Sequence, residues 1–239
     1  MKPRVTIVIP FYNDPYIVEA IESALSQTYP NREIVVVDDG STAHTELIKP
    51  YLSRIRYLRK NNGGTASALN YGIHHSTGEY IAWLSSDDRL YPHKITYQVD
   101  YMLERGAWFS HTNFDYIDGT GQLMEQGAGM IHATALQFYM SFFHGNCING
   151  CTVMMNRKLL KRVGVFNEKL PYTHDMDLWY RVMLEGYDMH YIPERLTAYR
   201  KHAAMGTIRH QDQIRKEVQV TLQEYHNRLR DFVNRIQHD

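Results

Sequence analysis

Two stretches of sequence decide the fold: VVVDDGST at residues 35–42 and YIAWLSSDD at residues 80–88. Each is a short, apolar, β-rich run that ends in a pair of acids, Asp38-Asp39 and Asp87-Asp88. In an open α/β sheet, ligands bind in the crevice outside the carboxyl ends of the strands. We therefore expect these acids to face a ligand. Carboxylates clustered at such a crevice indicate a divalent cation and a phosphorylated substrate.

The segments around these stretches alternate between strand and helix patterns. Apolar runs at VTIVIP, EIVVVDD, IRYLRK and EYIAWL are separated by helical or turn-forming segments. This spacing predicts an α/β fold with a doubly wound, mostly parallel central sheet flanked by helices. The pattern loosens after Asp88 and becomes α+β. We expect one domain over residues 1–205, made of a nucleotide-binding half (1–90) and an acceptor-side half (91–205).

A C-terminal helix is predicted over residues 206–239. Its apolar residues recur at alternating four- and three-residue steps, at Val218, Leu222, Tyr225, Leu229, Phe232 and Ile236. Such a stripe packs either on its own domain or against a second copy. We favour packing on its own domain because the repeat is short, and a homodimer through this helix is the alternative.

Composition excludes several function classes. Lys plus Arg and Asp plus Glu are both 26, so the net charge is zero with His neutral, and nucleic acid is not expected as a partner. No stretch approaches the roughly 18 apolar residues of a membrane span. We expect a cytoplasmic protein, with peripheral contact at the inner face of the membrane as an alternative. Cys147 and Cys151 are interpreted as ordinary thiols.

Five motifs in order resemble those of the inverting family 2 glycosyltransferases, whose fold is called GT-A. They are VTIVIPFYND, LSQTYPNREIVVVDDGST, NNGGTASALNYGI, GEYIAWLSSDD and HDMDLWYRV, and the resemblance spans about Thr6 to His202. The order is more specific than any single motif. It implies transfer of a sugar from a nucleotide-diphosphate sugar, most simply a UDP-sugar, by metal-assisted single displacement.

The resemblance also implies a nucleotide site. It assigns to Asp39 the imide N–H of uracil, to Pro10 and Tyr12 the flanks of the base, and to Asp87 the ribose. The alternative is structural, since acids after a strand also cap the following turn.

A metal site follows from the same resemblance, with Asp88 as a ligand of Mn²⁺ or Mg²⁺. His202 falls where relatives carry a histidine near the diphosphate, and it is a second candidate for the metal or phosphate. Arg200 and Lys201 are weaker candidates for the phosphate. Many relatives have an acid two positions before the final pair, where this chain has Ser85.

Asp175 matches the family's general base, which takes a proton from the attacking acceptor hydroxyl. His174 stands where many relatives have Glu, and we place it near the sugar together with Asn149 and Gly150. Asp177 is a rival base. At two residues' spacing it points away from Asp175, and we expect it to pair with Arg181.

Two other functions remain open from the sequence. One is a non-catalytic subunit that binds a nucleotide sugar. The other is a sugar nucleotidyltransferase, against which stands the lack of a Gly-rich, basic loop after the first strand. The acceptor of a transferase is expected to be a carbohydrate or a lipid-linked sugar, while a protein acceptor stays open.

Overall fold

The structure, a computed structural model, describes residues 2–238. Met1 and Asp239, the outer ends of the two predicted segments, lie outside the described residues. Within them the strands, β1 to β9, span Val5–Phe11, Arg32–Asp38, Arg56–Arg59, Tyr80–Trp83, Arg89–Leu90, Phe109–Ile117, Leu123–Glu125, Met154–Asn156 and His190–Arg200. The α-helices, α1 to α8, span Ile17–Leu25, Gly64–His74, Lys94–Arg105, Ala135–Ser141, Arg157–Val163, His174–Leu184, Gly206–Arg209 and Gln211–His238. Two 3₁₀ helices span Thr45–Tyr51 and Gly150–Thr152.

The first half of the sheet is parallel, as the alternating pattern predicts. Its strands lie in the order β3-β2-β1-β4, and every neighbouring pair is parallel. All seven residues of β1 are buried, because this strand lies in the middle of the sheet and has helices on both faces.

The second half of the sheet is mixed. The order continues β8-β6-β9-β5, with β7 paired beside β6. β8 is antiparallel to β4 and β6, β5 is antiparallel to β9, and only β6 and β9 run parallel. Only β6 and β7 are joined by a short connection, and the other antiparallel neighbours lie far apart in the sequence. The predicted GT-A-like α/β fold is confirmed, and its parallel character belongs mainly to the first half.

Helices cover both faces of the sheet and form two apolar cores. One core joins the sheet to α1 and α3, through residues such as Ile21 and Val99. The other joins the opposite face to α2, α4, α5, α6 and α8. The sheet is therefore doubly wound, as predicted.

The C-terminal helix α8 packs on its own domain. Tyr225, Leu229 and Val233 are buried in the larger core, and the Tyr225 ring stacks on Tyr180 with centroids 4.7 Å apart. The stripe that motivated a homodimer is thus covered by the rest of the chain. Among the described residues, no helix has the length and apolarity needed to cross a bilayer.

The carboxyl ends of β1, β2 and β4 meet at one edge of the sheet, because parallel neighbours end on the same side. Phe11 pairs with Asp38 at this edge. The turn after β2 requires a glycine at position 40. Gly40 has a φ of +79°, and a Cβ added there would lie 2.8 Å from the backbone nitrogen of Asn62. This close approach joins the first acid pair to the loop that precedes α2.

Candidate active site

A cleft of about 680 Å³ opens at this edge of the sheet. Its walls come from the β1–α1 loop, the end of β4, the segments 146–151 and 171–175, and the chain from Tyr199 to Ile214. The lining includes all but one of the residues predicted from sequence: Pro10, Tyr12, Asp39, Asp87, Asn149, Gly150, His174, Asp175 and His202. Asp88 is the exception. Pro10 and Asp175, which are 165 positions apart in the sequence, therefore border the same ligand-sized cleft.

Asp39 lies in the cleft wall and holds the loop before α2. Its carboxylate accepts hydrogen bonds from Lys60 Nζ at 2.7 Å and from the backbone N–H groups of Gly63 and Gly64. The Gly63 N–H contacts both oxygens, so the three donors make four hydrogen bonds and a further donor must replace one branch of this shared bond. Tyr12 is 55% exposed at the mouth of the cleft, where an aromatic face is free to stack.

Asp38 is structural, in line with the capping alternative. It is fully buried, accepts a hydrogen bond from the Ser41 N–H at 2.7 Å, and is bonded by the Tyr57 hydroxyl. It fixes the turn that places Asp39.

In the second acid pair, Asp87 faces the cleft. Its carboxylate lies 3.0 Å from His202 Nε2, on the segment that follows β9. The pair joins the end of β4 to the other wall of the cleft. Both predicted candidates thus contact each other in the cleft lining, close to Asp14.

Asp88 is buried and is not part of the cleft lining. Its Oδ1 accepts a hydrogen bond from the Arg200 N–H at 2.8 Å, while its Oδ2 is buried without a partner. Burial, and next the charge of Asp87, raise the pKa of Asp88 well above the usual value. A buried carboxylate oxygen without a donor is an expensive arrangement unless a cation or a proton satisfies it.

Arg200 is not available to a phosphate. Its side chain is fully buried, with Nη2 2.6 Å from Glu19 and Nε bonded to the Asp87 carbonyl oxygen. Lys201 points elsewhere, with its Nζ over the Tyr116 ring. The sequence-based expectation for these two residues is wrong, because both cations already hold partners of their own chain.

The second acid pair offers carboxylate oxygens of the kind that a divalent cation prefers, although Asp88 is not part of the cleft lining. Within residues 2–238, no three His, Cys, Asp or Glu side chains form a cage that could hold a metal ion. A hard cation that bridges a diphosphate needs only one or two protein carboxylates, since phosphates and water fill the other positions. The unpartnered Oδ2 of Asp88 and the cleft-facing Asp87 meet that need.

Ser85 stands where many relatives have a third acid, and it contacts Cys151. Its hydroxyl lies 3.0 Å from the Cys151 sulfur, and burial raises the pKa of that thiol well above the usual range. Both cysteines are free thiols, as predicted. A neutral Ser–Cys contact therefore replaces a carboxylate beside Asp88.

Asp175 lies in the cleft wall at the start of α6. Its Oδ2 accepts a hydrogen bond from Asn146 Nδ2 at 2.8 Å, and its Oδ1 from the Met176 N–H at 2.7 Å. Burial raises the pKa of Asp175, against the opposing effect of His174. The carboxylate is held in place, borders the cleft and is biased toward accepting a proton.

Asp177, on the same helix, is buried and does not line the cleft. It pairs with Arg181, with Oδ2 2.8 Å from Nη2, as the i+4 spacing predicts. Its Oδ1 accepts a hydrogen bond from the Tyr225 hydroxyl at 2.9 Å. Both oxygens are used by the fold.

His174 is buried between Trp83 and Phe166, at ring-centroid distances of 5.6 and 5.5 Å. Burial lowers its pKa, against the charge of Asp175, so the ring is neutral at pH 7. Its aromatic neighbours show that this histidine shapes the floor of the cleft.

Gly150 lies directly under Trp83. An added Cβ would be 1.9 Å from Cζ3 of the indole ring. The indole ring leaves no room for a side chain at this position, and Gly150 also lines the cleft. Asn149 caps the 3₁₀ helix that follows, with Oδ1 accepting from the Cys151 N–H at 3.0 Å.

Several residues of the site were not found by sequence reasoning. Asp14 lines the cleft and accepts a hydrogen bond from the Ser86 hydroxyl at 2.7 Å. Asn146 and Arg209 also border the cleft. No local pattern marks them, because each acts through contacts with distant parts of the chain.

The comparisons with known sequences agree with this geometry. The family model described as "Glycosyl transferase family 2" matches residues 6–164. An uncharacterized glycosyltransferase of Rickettsia typhi is 40% identical over 212 residues, covering 86% of this chain and 66% of the relative. The Escherichia coli protein WfaP, a UDP-Glc:alpha-D-GlcNAc-diphosphoundecaprenol beta-1,3-glucosyltransferase, is 32% identical over 83% of this chain and 78% of its own. The chain spans only 35% of the relatives from Rickettsia felis and Rickettsia conorii.

Solved structures show the same fold. Staphylococcus aureus TarS in complex with UDP superposes with a TM-score of 0.71 at 18% identity, covering 97% of this chain and 71% of TarS. TarS in complex with UDP-GlcNAc gives a TM-score of 0.70 at 19% identity, covering 84% and 60%.

Proposed function

The chain belongs to glycosyl transferase family 2, and on that premise we propose that it moves a sugar from a UDP-sugar to a hydroxyl group of a saccharide acceptor, with inversion. It is a glycosyltransferase by family, while the donor, the acceptor and the mechanism are part of this proposal. The observation that carries it is Asp175, a carboxylate held by two hydrogen bonds that lines the same cleft as the Asp87–His202 pair.

In the proposed reaction, the acceptor oxygen attacks the anomeric carbon of the donor as the bond to the diphosphate oxygen breaks. Asp175 takes the proton of the attacking hydroxyl, and UDP leaves with the bonding electrons. A single displacement from the opposite face inverts the anomeric configuration. The raised pKa of Asp175 suits this role, since a base works best when its pKa approaches the operating pH.

For the nucleotide, we propose that Asp39 accepts the uracil imide N–H, which would replace one branch of the hydrogen bond that the Gly63 N–H shares between the two oxygens. Tyr12 and Pro10 would border the base, and Asp87 would hold the ribose. This arrangement is supported by their places in the cleft lining and by the UDP complex of TarS, a protein of the same fold.

For the metal, we propose that Asp88 and His202 hold Mn²⁺ or Mg²⁺ beside Asp87. Such a cation would neutralise charge that develops on the leaving diphosphate. Asp88 Oδ2, buried and without a partner, is the atom that most needs a cation.

For the acceptor, we propose a saccharide carried on a lipid diphosphate, which would place the protein at the surface of a membrane. The name of WfaP, with a lipid-linked acceptor, favours this class. A free oligosaccharide is the alternative that the experiment must separate.

Calorimetric titration with UDP, GDP and TDP, each with and without Mn²⁺, tests the donor half of the proposal. We expect manganese-dependent binding of UDP alone, and weaker binding by the Asp39→Asn variant. The matched control is Asp100→Asn on the exposed end of the Lys2 ion pair, which should bind as the wild type does. Absence of binding to any nucleotide would reject the transferase assignment.

The acceptor half is tested by UDP release from a panel of UDP-sugars, with free oligosaccharides or lipid-diphosphate saccharides in detergent. Transfer to the lipid-linked panel alone supports the proposal, whereas transfer to free sugars alone contradicts the acceptor class. A chain that binds UDP and Mn²⁺ but neither transfers nor hydrolyses any donor is a binding subunit.

A further inference from the structure

At the start of α6, the helix that carries Asp175, the N-cap residue does not cap the first turn. Thr173 is the N-cap residue, and its side chain makes no capping hydrogen bond to the first turn. The first N–H groups of a helix need acceptors, and an uncapped first turn frays. Asp175 itself accepts the Met176 N–H, whereas the two residues before the helix bond to a group from elsewhere in the chain.

Glu217, on α8, provides that group. Its Oε2 accepts hydrogen bonds from the Tyr172 N–H at 3.0 Å, the Thr173 N–H at 3.1 Å and the Thr173 hydroxyl at 3.1 Å. The other oxygen accepts from Gln213 Nε2 at 3.2 Å. One carboxylate from the C-terminal helix thus holds the two residues directly before His174 and Asp175.

The environment of Glu217 makes these bonds strong. The residue is 5% exposed, and among residues 2–238 no Lys, Arg or His lies within ion-pair distance of it. Its charge is therefore balanced by N–H and O–H donors and by the positive end of the α6 dipole. A buried carboxylate with this donor set has one stable position.

A second contact one turn further along fixes the same helix to α8. The Tyr225 hydroxyl donates to Asp177 Oδ1 at 2.9 Å, and its ring stacks on Tyr180. The chain just before α8 borders the cleft through Met205, Gly206 and Arg209. The helix that orients the base is thus continuous with a wall of the substrate cleft.

We propose that Glu217 is a positioning residue for Asp175, so that α8 belongs to the catalytic machinery and is more than a cover for the core. This inference rests on the proposed function, since it concerns the same base. The residue lies beyond the stretch that matches the family model, which ends at residue 164. Displacement of a reacting group by about 1 Å costs about 10²-fold in rate, so loss of this contact should act on turnover.

The experiment compares Glu217→Ala, Glu217→Gln and the matched control Glu224→Gln, an exposed glutamate two turns along the same helix. We expect Glu217→Ala to lower kcat about 10- to 100-fold while the donor KM and the UDP Kd change about twofold or less. In Glu217→Gln the amide oxygen can still accept from residues 172 and 173, so most of kcat should return. Glu224→Gln should match the wild type.

Hydrogen exchange gives a readout that does not need activity. Amides 172–177 should lose protection in Glu217→Ala, retain most of it in Glu217→Gln, and stay unchanged in Glu224→Gln. A Glu217→Ala protein with wild-type kcat below its melting temperature would overturn the proposal. An equal loss of UDP binding and turnover would do the same, since it would indicate general damage.

Two further measurements cover the cases in which Glu217→Ala does not fold or the wild type transfers no sugar. Should Glu217→Ala not fold, Glu217→Asp retracts the carboxylate by one methylene and keeps its charge. A wild-type kcat in that variant refutes positioning, and a lowered kcat supports it. If the wild-type chain transfers no sugar, the proposed function fails, and exchange at amides 172–177 alone decides whether Glu217 fixes the helix start.

Discussion

Asp175→Asn is expected to remove turnover and to leave the fold and nucleotide binding nearly intact. A general base contributes about 10²- to 10⁴-fold to a rate. At about 1.36 kcal/mol for each factor of ten, the barrier should rise by about 3 to 5 kcal/mol. The asparagine is almost the same shape as the aspartate and has no charge to accept the proton.

The same change should lower the free energy of unfolding only slightly, as the contacts of Asp175 show. The new amide oxygen can accept from the Met176 N–H, but its NH₂ group then faces Asn146 Nδ2, also a donor. Asn146 cannot turn its amide around without losing the bond that its Oδ1 accepts from the Ile148 N–H. One hydrogen bond near the surface is lost, worth about 1 kcal/mol of unfolding free energy.

The assay measures UDP release with the best donor and acceptor of the wild type, beside urea unfolding and UDP titration. Asp177→Asn is the control, because it breaks a buried ion pair whose loss costs about 3 to 5 kcal/mol. Asp177→Asn should strongly lower the free energy of unfolding. The kcat of the protein that remains folded should fall less than tenfold. Turnover of Asp175→Asn within tenfold of the wild type would refute the reasoning.

Three further predictions concern pH and packing. Because burial raises the pKa of Asp175 above the usual 3.8 and the base acts when ionised, kcat should fall as pH drops through a value above 3.8; a flat profile down to about pH 4 would contradict this. Gly150→Ala should lower the unfolding free energy by about 1 to 3 kcal/mol, because the methyl group meets the Trp83 ring; an unchanged urea midpoint would count against that packing. Burial lowers the pKa of Lys94 to about 7, so the folded state binds fewer protons than the unfolded state between that value and 10.5. Wild-type stability should therefore rise with pH across that window, by at most about 1.36 kcal/mol per pH unit, and Lys94→Met should remove this rise while Lys216→Met, at an exposed site, retains it.

The alternating pattern of the first 90 residues predicted the fold because its apolar runs are parallel strands separated by helices, with β1, β2 and β4 mostly buried and β3 partly exposed at the edge. β1 and β2 show this directly, with their ends at the cleft. The second half was harder to predict, since β5 has two residues and β8 three. Runs this short show no alternation of apolar and polar residues that could identify a strand. Their pairing depends on strands that are distant in the sequence.

The candidate site also contains residues that the local sequence marks and contacts that only the folded chain forms. Asp39, Asp87 and Asp175 stand next to strand or helix ends, where local sequence marks them. The unpartnered oxygen of Asp88, the use of Arg200 by the fold and the contact of Glu217 with Thr173 depend on residues far apart in the chain. No periodicity or motif encodes such contacts, so only the folded chain reveals them.

The position of Trp83 offers a built-in optical reporter of the cleft. The chain has three tryptophans, of which Trp83 lines the cleft, Trp179 is fully buried and Trp108 stacks on Tyr187. A nucleobase or sugar that enters the cleft changes the surroundings of the first indole while leaving the other two in place. Intrinsic fluorescence at 83 can therefore follow ligand entry in real time without a label, and Trp83→Phe provides the blank against which that signal is read.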